Sequence, residues 1–225
     1  MDVTMKMNQF VIIGLGRFGS SLGRELVELG YEVLGIDKDE EAVEEMSDVL
    51  THAVVADSTD EDVLRSLGVR NFDCAVVAIG NDIQANIMTS ILIKDLGVKQ
   101  VVVKALGELH GRVLEKIGVD RIIYPERDMG VRVAHQLVSP NLLDYIELSK
   151  EYTIAELAVP KEMSGKTLKE LNPRARYGCS IVAINKLRGG IIIAPTAADV
   201  LEEKDIMVVI GTNEQIENFE AAVSR

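Results

Sequence analysis

Three glycines, Gly14, Gly16 and Gly19, stand in the spacing G-x-G-x-x-G, and that spacing suits one kind of chemistry: a backbone turn whose unpaired amides face an anion. The first glycine permits a tight turn, the second lets the main chain approach a pyrophosphate, and the third lets the next helix pack closely on the preceding strand. Asp37 lies 21 residues beyond Gly16, near the roughly 20-residue offset at which an acid meets ribose hydroxyls. A carboxylate there repels a 2′-phosphate, so NADP is disfavoured while NAD, ATP and ADP stay open. The rival role for Asp37 is the N-cap of a helix over DEEAVEEM. Arg17, inside the loop, offers a fixed cationic fork suited to a third phosphate or to a carboxylate across an interface. Its plain alternative is a solvated surface arginine.

These residues need a strand before the glycines and a helix after them, and the chain supplies both. FVIIGLGRFGSSLGRELVELG runs from a continuous apolar stretch through the glycines into Leu22, Leu26, Val27 and Leu29 at helical spacing. The pattern recurs: YEVLGID, THAVVAD, FDCAVVAIG, QVVVKA and DRIIYP read as strands, with helices over DEEAVEEM, DEDVLRSLG, NIMTSILIKDLG, LHGRVLEKIG and DMGVRVAHQLV. Strands that are apolar without polar alternation are buried on both faces, as in a parallel sheet. A Rossmann-like doubly wound α/β fold is therefore expected. Gly30, Gly68, Gly97 and Gly118 close the helical stretches, and Asp60 and Asp82 stand at N-cap positions. The strand ends at Asp57-Ser58, Gly80-Asn81 and Lys104 share the carboxyl edge, where ligands of such sheets sit. Asp57 and Ser58 are placed to meet an adenine, though alone each reads as a loop or cap residue.

Composition narrows the function. The 225 residues, 47% hydrophobic and 27% charged, describe a globular chain of one large domain or two modest ones. No apolar run reaches the roughly 18 residues of a membrane helix, and the N-terminus lacks the layout of a secretory signal; a soluble cytosolic chain is expected. The net charge of −12 opposes nucleic acid, itself a polyanion. Residues 1–144 hold 14 Lys/Arg against 24 Asp/Glu, and 145–225 hold 10 against 12. That shift places a domain change near 144, dividing the chain into 1–144 and 145–225. Cys74 and Cys179 fit no zinc or redox spacing and read as free buried thiols. Of the three histidines, His52 opens a strand, and His110 and His135 fall in amphipathic helices. None forms a nucleophile–base set, and no Walker lysine–serine pair follows the glycines. A bound nucleotide without chemistry describes a sensor, not an enzyme. The rivals are a small NAD(H)-dependent oxidoreductase, which lacks an acid–base set, and an NADH redox sensor that binds DNA, which lacks a basic recognition helix.

GLGRFG, the acid at Asp37, ADSTDEDVLRSLGVRNFDCAVVAIGND and IGVDRIIYPERDMG together resemble the gating-ring subunits of the Ktr and Trk potassium uptake systems. These carry an RCK (KTN) domain followed by a small RCK-C (TrkA-C) domain, and the resemblance covers essentially the whole chain. It implies a homodimer assembling into an octameric ring on the cytoplasmic face of a potassium-translocating membrane partner (KtrB- or TrkH-like), activated by ATP and inhibited by ADP. It also implies nucleotide contacts from Gly14, Leu15, Gly16, Arg17, Phe18 and Gly19 in the loop. Asp37 and Lys38 follow at the second strand end, Asp57 and Ser58 at the third, Ile79 and Gly80 at the fourth, and Lys104 and Glu126 close the set. By the same resemblance Arg17 senses the γ-phosphate across the dimer, and Glu126 joins Mg2+ or Ca2+ at that interface. Without the family, Glu126 is an acid at the start of a helix. That helix carries Met129, Val131, Val133, Leu137 and Val138, an apolar surface for a dimer, for a neighbouring domain or for a core.

Past SPNLLDYIELSKEY the pattern changes. TIAELAVP, CSIVAINK, GIIIAP and DIMVVIGT read as strands, separated by LKELNPRARYG and TAADVLEEK, with a hairpin turn at Gly189-Gly190 and a closing helix over IENFEAAVSR. Residues 145–225 thus form a small α+β module. The resemblance places a cyclic di-AMP cleft there, at Arg174, Ser180, Ile181 and Pro195; the alternative is a plain dimerisation module.

Overall fold

The computed structural model describes residues 8–139 and 141–223. Six parallel strands form the first sheet: β1 (Gln9–Ile13), β2 (Glu32–Asp37), β3 (His52–Val55), β4 (Cys74–Val77), β5 (Gln100–Lys104) and β6 (Arg121–Ile123), in the order β3-β2-β1-β4-β5-β6. Between them run α1 (Arg17–Glu28), α2 (Glu40–Ser47), α3 (Glu61–Ser66), α4 (Ile83–Asp95) and α5 (Glu108–Ile117), and α6 (Pro125–Val138) follows β6. The central strands are apolar through their middles because both faces are covered there: Val11–Ile13, Val33–Ile36 and Cys74–Val77 are all buried. Val11 and Ile13 of β1 join one core with Leu34, Ile36, Val101, Val103 and Leu114; Ile12 joins the other with Val33, Val43, Met46 and Leu50. Truncating one of these fully buried side chains, such as Leu114 to alanine, costs about 2–5 kcal/mol.

The helix ends follow the expected signals. Gly30, Gly68, Gly97 and Gly118 all take positive φ. Asp60 accepts from Asp62 N and Val63 N, and Asp82 from Ala85 N. The rival role for Asp37 is set aside: α2 is capped by Asp39, which accepts from Glu41 N at 3.0 Å, not by Asp37. Its chain direction leaves Asp37 still in the strand, two residues too early to reach the first turn.

The chain divides into two compact units between Glu126 and Arg127. This lies upstream of 144 because Arg127, Arg132, Asp128 and Asp144 cancel one another, so charge balance does not resolve where between 126 and 144 the change falls. The second unit holds an antiparallel sheet, β10-β9-β11-β8-β7, built from β7 (Leu142–Glu147), β8 (Tyr152–Ala158), β9 (Ser180–Asn185), β10 (Ile191–Ile193) and β11 (Ile206–Thr212). α7 (Leu168–Leu171), α8 (Pro173–Tyr177) and α9 (Asn213–Val223) complete it. One sheet face is buried: Met207 and Val209 are fully covered while Ile206, Val208 and Ile210 are half-buried. The hairpin at Gly189-Gly190 joins β9 to β10. Asp205, fully buried, steadies it by accepting from Lys186 Nζ at 2.6 Å and Leu187 N at 3.0 Å. Both cysteines are free and buried.

Candidate functional site

The glycine loop is shaped by what surrounds it. Gly14 has φ +98°, and a Cβ there would stand 2.9 Å from Ile79 N, so the turn after β1 presses on the end of β4. A Cβ on Gly19 would stand 1.9 Å from Gly14 O, so α1 sits directly against that turn. Around Gly16 nothing lies within 4 Å of a built Cβ, leaving its main chain open to an approaching group. α1 starts at Arg17 with no side-chain cap, and the amides of a helix's first turn lack partners inside the helix. Arg17 is exposed and Phe18 half-buried. The tight turn and close strand–helix contact read from the spacing are present here.

Asp37 closes the loop from β2. Its Oδ2 accepts from Leu15 N at 2.6 Å and its Oδ1 from Asp39 N at 3.0 Å, which fixes the carboxylate at the strand end beside the glycines. Lys38 is exposed next to it. Asp57 accepts from Thr59 N and Thr59 Oγ1 at 2.9 and 2.7 Å. The Thr59 hydroxyl, then the Thr59 amide, hold its carboxyl below the usual range, and Lys38 adds to the effect. Ser58 is buried, at 7% exposure.

Across the edge, Lys104 is the buried cation. Its side chain is 9% exposed, and its ammonium lies 2.5 Å from Glu126 Oε1 and 5.8 Å from the centre of the Phe18 ring. Gly80 makes room, since a Cβ there would sit 3.3 Å from Lys104 Nζ. Glu126 is 66% exposed. The hydrogen bond from Lys104 holds its carboxyl low, and the charge of Arg17 acts in the same direction. One edge thus carries an amide-lined turn, a fixed acid, a buried ammonium and an exposed acid, a layout for a polyanion with a polar ring attached. Glu126 is the carboxylate paired with Lys104, and no group of three or more His, Cys, Asp or Glu able to hold a metal occurs among the described residues.

The predicted residues of the second unit fall on three elements. Arg174 is exposed on α8; Ser180 and Ile181 begin β9, half-buried; Pro195 follows β10. Ala194 N bonds to Val182 O at 2.9 Å, which brings Pro195 beside the start of β9. Ile181 packs against the core of this unit. Along α6 no residue is buried, and Met129, Val131, Val133, Leu137 and Val138 are 42–78% exposed. His110 is the buried histidine: its Nδ1 accepts from Leu106 N at 3.3 Å, and burial lowers its pKa.

The sequence reading passed over Asn86, Thr89 and Ser90. All three are on α4 and wholly buried. Their signal was present as polar residues at i, i+3 and i+4 of an otherwise apolar helix, a spacing that ordinarily marks a wet face.

A TrkA-N domain family model matches residues 10–125 and a TrkA-C domain model matches residues 153–224. The Ktr system potassium uptake protein C of Bacillus subtilis is 48% identical over 215 residues, covering 96% of this chain and 97% of that one. The Ktr system potassium uptake protein A of Vibrio alginolyticus is 37% identical over 210 residues, covering 93% and 95%. Among solved structures, the GsuK channel bound to NAD is 26% identical with a TM-score of 0.52, covering 97% of this chain and 39% of that chain. This chain therefore spans well under half the length of that channel.

Proposed function

The chain belongs to the Ktr family of potassium uptake proteins built from a TrkA-N and a TrkA-C domain, and we propose that it is the nucleotide-sensing regulatory subunit of such a system, not an enzyme. The observation that carries this reading is the carboxyl edge of the first sheet. There the loop Gly14–Gly19, Asp37 and the buried Lys104 ammonium converge with Glu126.

In this reading the pyrophosphate lies over the first turn of α1 against Leu15, Gly16 and Phe18, and Asp37 and Lys38 flank the ribose. Asp57 and Ser58 meet the adenine, and Ile79 and Gly80 form the opposite wall. ATP favours the activating state and ADP the inhibiting one, because only ATP brings a third phosphate to Arg17. Two copies pair through the exposed apolar surface of α6 and assemble into an octameric ring against a potassium-translocating membrane subunit, so the protein works at the inner face of the membrane. A hard divalent cation takes six to eight oxygen ligands. One carboxylate per chain fits Mg2+ or Ca2+ only where phosphate oxygens and a second copy's Glu126 complete the shell. Cyclic di-AMP is assigned to Arg174, Ser180, Ile181 and Pro195 in the second domain.

A second reading, NAD(H) as the resident nucleotide, is favoured by the likeness to the NAD-bound GsuK channel and uses the same edge. Calorimetric titration of the purified chain with ATP, ADP and NADH, with and without Mg2+, tests both. ATP and ADP binding with a Mg2+ effect confined to ATP supports the first. Binding of NADH alone supports the second, and turnover of NADH would return the oxidoreductase.

A further inference from the structure

α4 buries three polar side chains, and two of them bond outside their own helix. Thr89 Oγ1 donates to the Ser58 carbonyl at 3.2 Å, and the two hydroxyls lie 2.9 Å apart. With the Thr89 proton spent on that carbonyl, the Ser58 hydroxyl is the donor of the pair. Asn86 Nδ2 donates to Ile79 O at 2.9 Å and to Lys104 O at 3.1 Å. Turning the amide over would set its oxygen against two carbonyl oxygens, so these partners fix its orientation. Asn86 Oδ1 then has no protein partner, an unmade bond that an apolar residue would avoid. A side chain kept at that cost is tied to what its amide holds.

What it holds is the ligand edge. Ser58 follows β3, Ile79 follows β4, and Lys104 ends β5, so one rigid helix sets the spacing of three strand ends. We propose that Asn86 and Thr89 are positioning residues of the nucleotide site. Thr89 sets the adenine side through Ser58, and Asn86 sets the phosphate side through the main chain of Lys104. The inference rests on the nucleotide reading above and assigns it two residues outside the site itself. Ser90 is the internal control: it is equally buried, but its hydroxyl bonds only to Asn86 O of its own helix, at 2.7 Å.

The test compares AMP, ADP and ATP by calorimetry on the full chain, with thermal unfolding of each variant alongside. Thr89→Val should weaken all three by a common factor of about ten, as expected for a lost buried hydrogen bond, and Thr89→Ser should restore them. Asn86→Leu should weaken ADP and ATP about fivefold or more beyond its effect on AMP, because it releases the strand that carries the phosphate-side ammonium. If that variant does not fold, Asn86→Ser, which keeps one donor, carries the same comparison with a smaller ratio. Ser90→Ala should move no affinity by more than about twofold. Equal losses for all three nucleotides in the Asn86 variants, or the same pattern in Ser90→Ala, would overturn the proposal. So would lower unfolding temperatures with unchanged affinities. A wild-type chain that binds none of the three overturns the nucleotide reading itself, and shows it before any variant is made.

Discussion

Replacing Glu126 by glutamine keeps the shape of the side chain that meets Lys104 and removes one negative charge from the phosphate side of the edge. Two effects then act on a bound triphosphate. The ammonium of Lys104, 9% exposed and now held by the carboxylate at 2.5 Å, is released to the phosphates, and a repelling charge disappears. A unit charge about 4 Å away is worth about 1 kcal/mol in water and about 4 kcal/mol at an effective dielectric of 20. With Glu126 66% exposed, the lower part of that range applies, about 1–2 kcal/mol, or a roughly five- to thirtyfold change in affinity. ATP affinity without divalent cation should therefore rise by about that factor in Glu126→Gln. With Mg2+ or Ca2+ the order reverses, since the carboxylate that joins the cation is gone, and the cation should no longer tighten ATP. Linkage requires that the cation's own affinity lose its ATP dependence by the same factor. Calorimetric titration of ATP and ADP in chelator and in each cation reads all of this. An unchanged cation effect on ATP in the variant would refute the reasoning and leave Glu126 as a helix-start acid paired with Lys104.

Arg17→Ala should weaken ATP much more than ADP, because only ATP carries a third phosphate to the exposed guanidinium; equal losses in calorimetry would remove that role. Asp37→Ala should weaken ATP, ADP and NADH together by about one to two decades, the worth of a charge-assisted hydrogen bond of about 1.5–3 kcal/mol. Unchanged binding would reduce Asp37 to a brace for Leu15 N. Asp73 accepts from Asn8 N at 3.0 Å, Gln9 N at 3.3 Å and Lys99 Nζ at 2.9 Å, and the Asn8 amide above all draws its pKa down to about 2. A carboxyl whose folded pKa is depressed contributes stability above its unfolded value, about 3.9, and that contribution fades as pH falls toward 2. Asp73→Asn should narrow the difference in unfolding temperature between pH 6 and pH 2.5; an undiminished difference would show that the contact does not persist in solution.

The first sheet was legible because its signals are local. Each strand is a short apolar run, each helix end carries its own glycine or aspartate, and the glycine loop names its neighbours by spacing. Which acid caps α2 was left open for a local reason as well: two acids, Asp37 and Asp39, compete within three residues, and only the strand's length decides between them. β7 was missed because Leu142–Glu147 mixes apolar and acidic residues at an edge of the sheet, where one side faces solvent. The pairing of Lys104 with Glu126 spans 22 residues and depends on how β6 returns the chain to the edge, which no pattern within either segment encodes. Asn86 and Thr89 were hidden differently. Their polarity is visible, but polarity alone points outward, and only the strand ends they meet reveal why they point in.

The two sheets place opposite ends of the chain at their centres. In the first, β1 is the earliest strand made and lies between β2 and β4, so successive strands can add outward as the polypeptide emerges from the ribosome. In the second, β11 is the last strand made and lies between β9 and β8. Until Ile206–Thr212 arrives, that unit is two separate strand pairs, β7 with β8 and β9 with β10, and paired strands of that size are marginal in water. The first sheet can therefore grow outward as it is made, while the second closes only once β11 is made. A chain that stops before β11 carries a complete first sheet and a second unit left as two strand pairs without the strand that joins them, the kind of product that protein quality control removes.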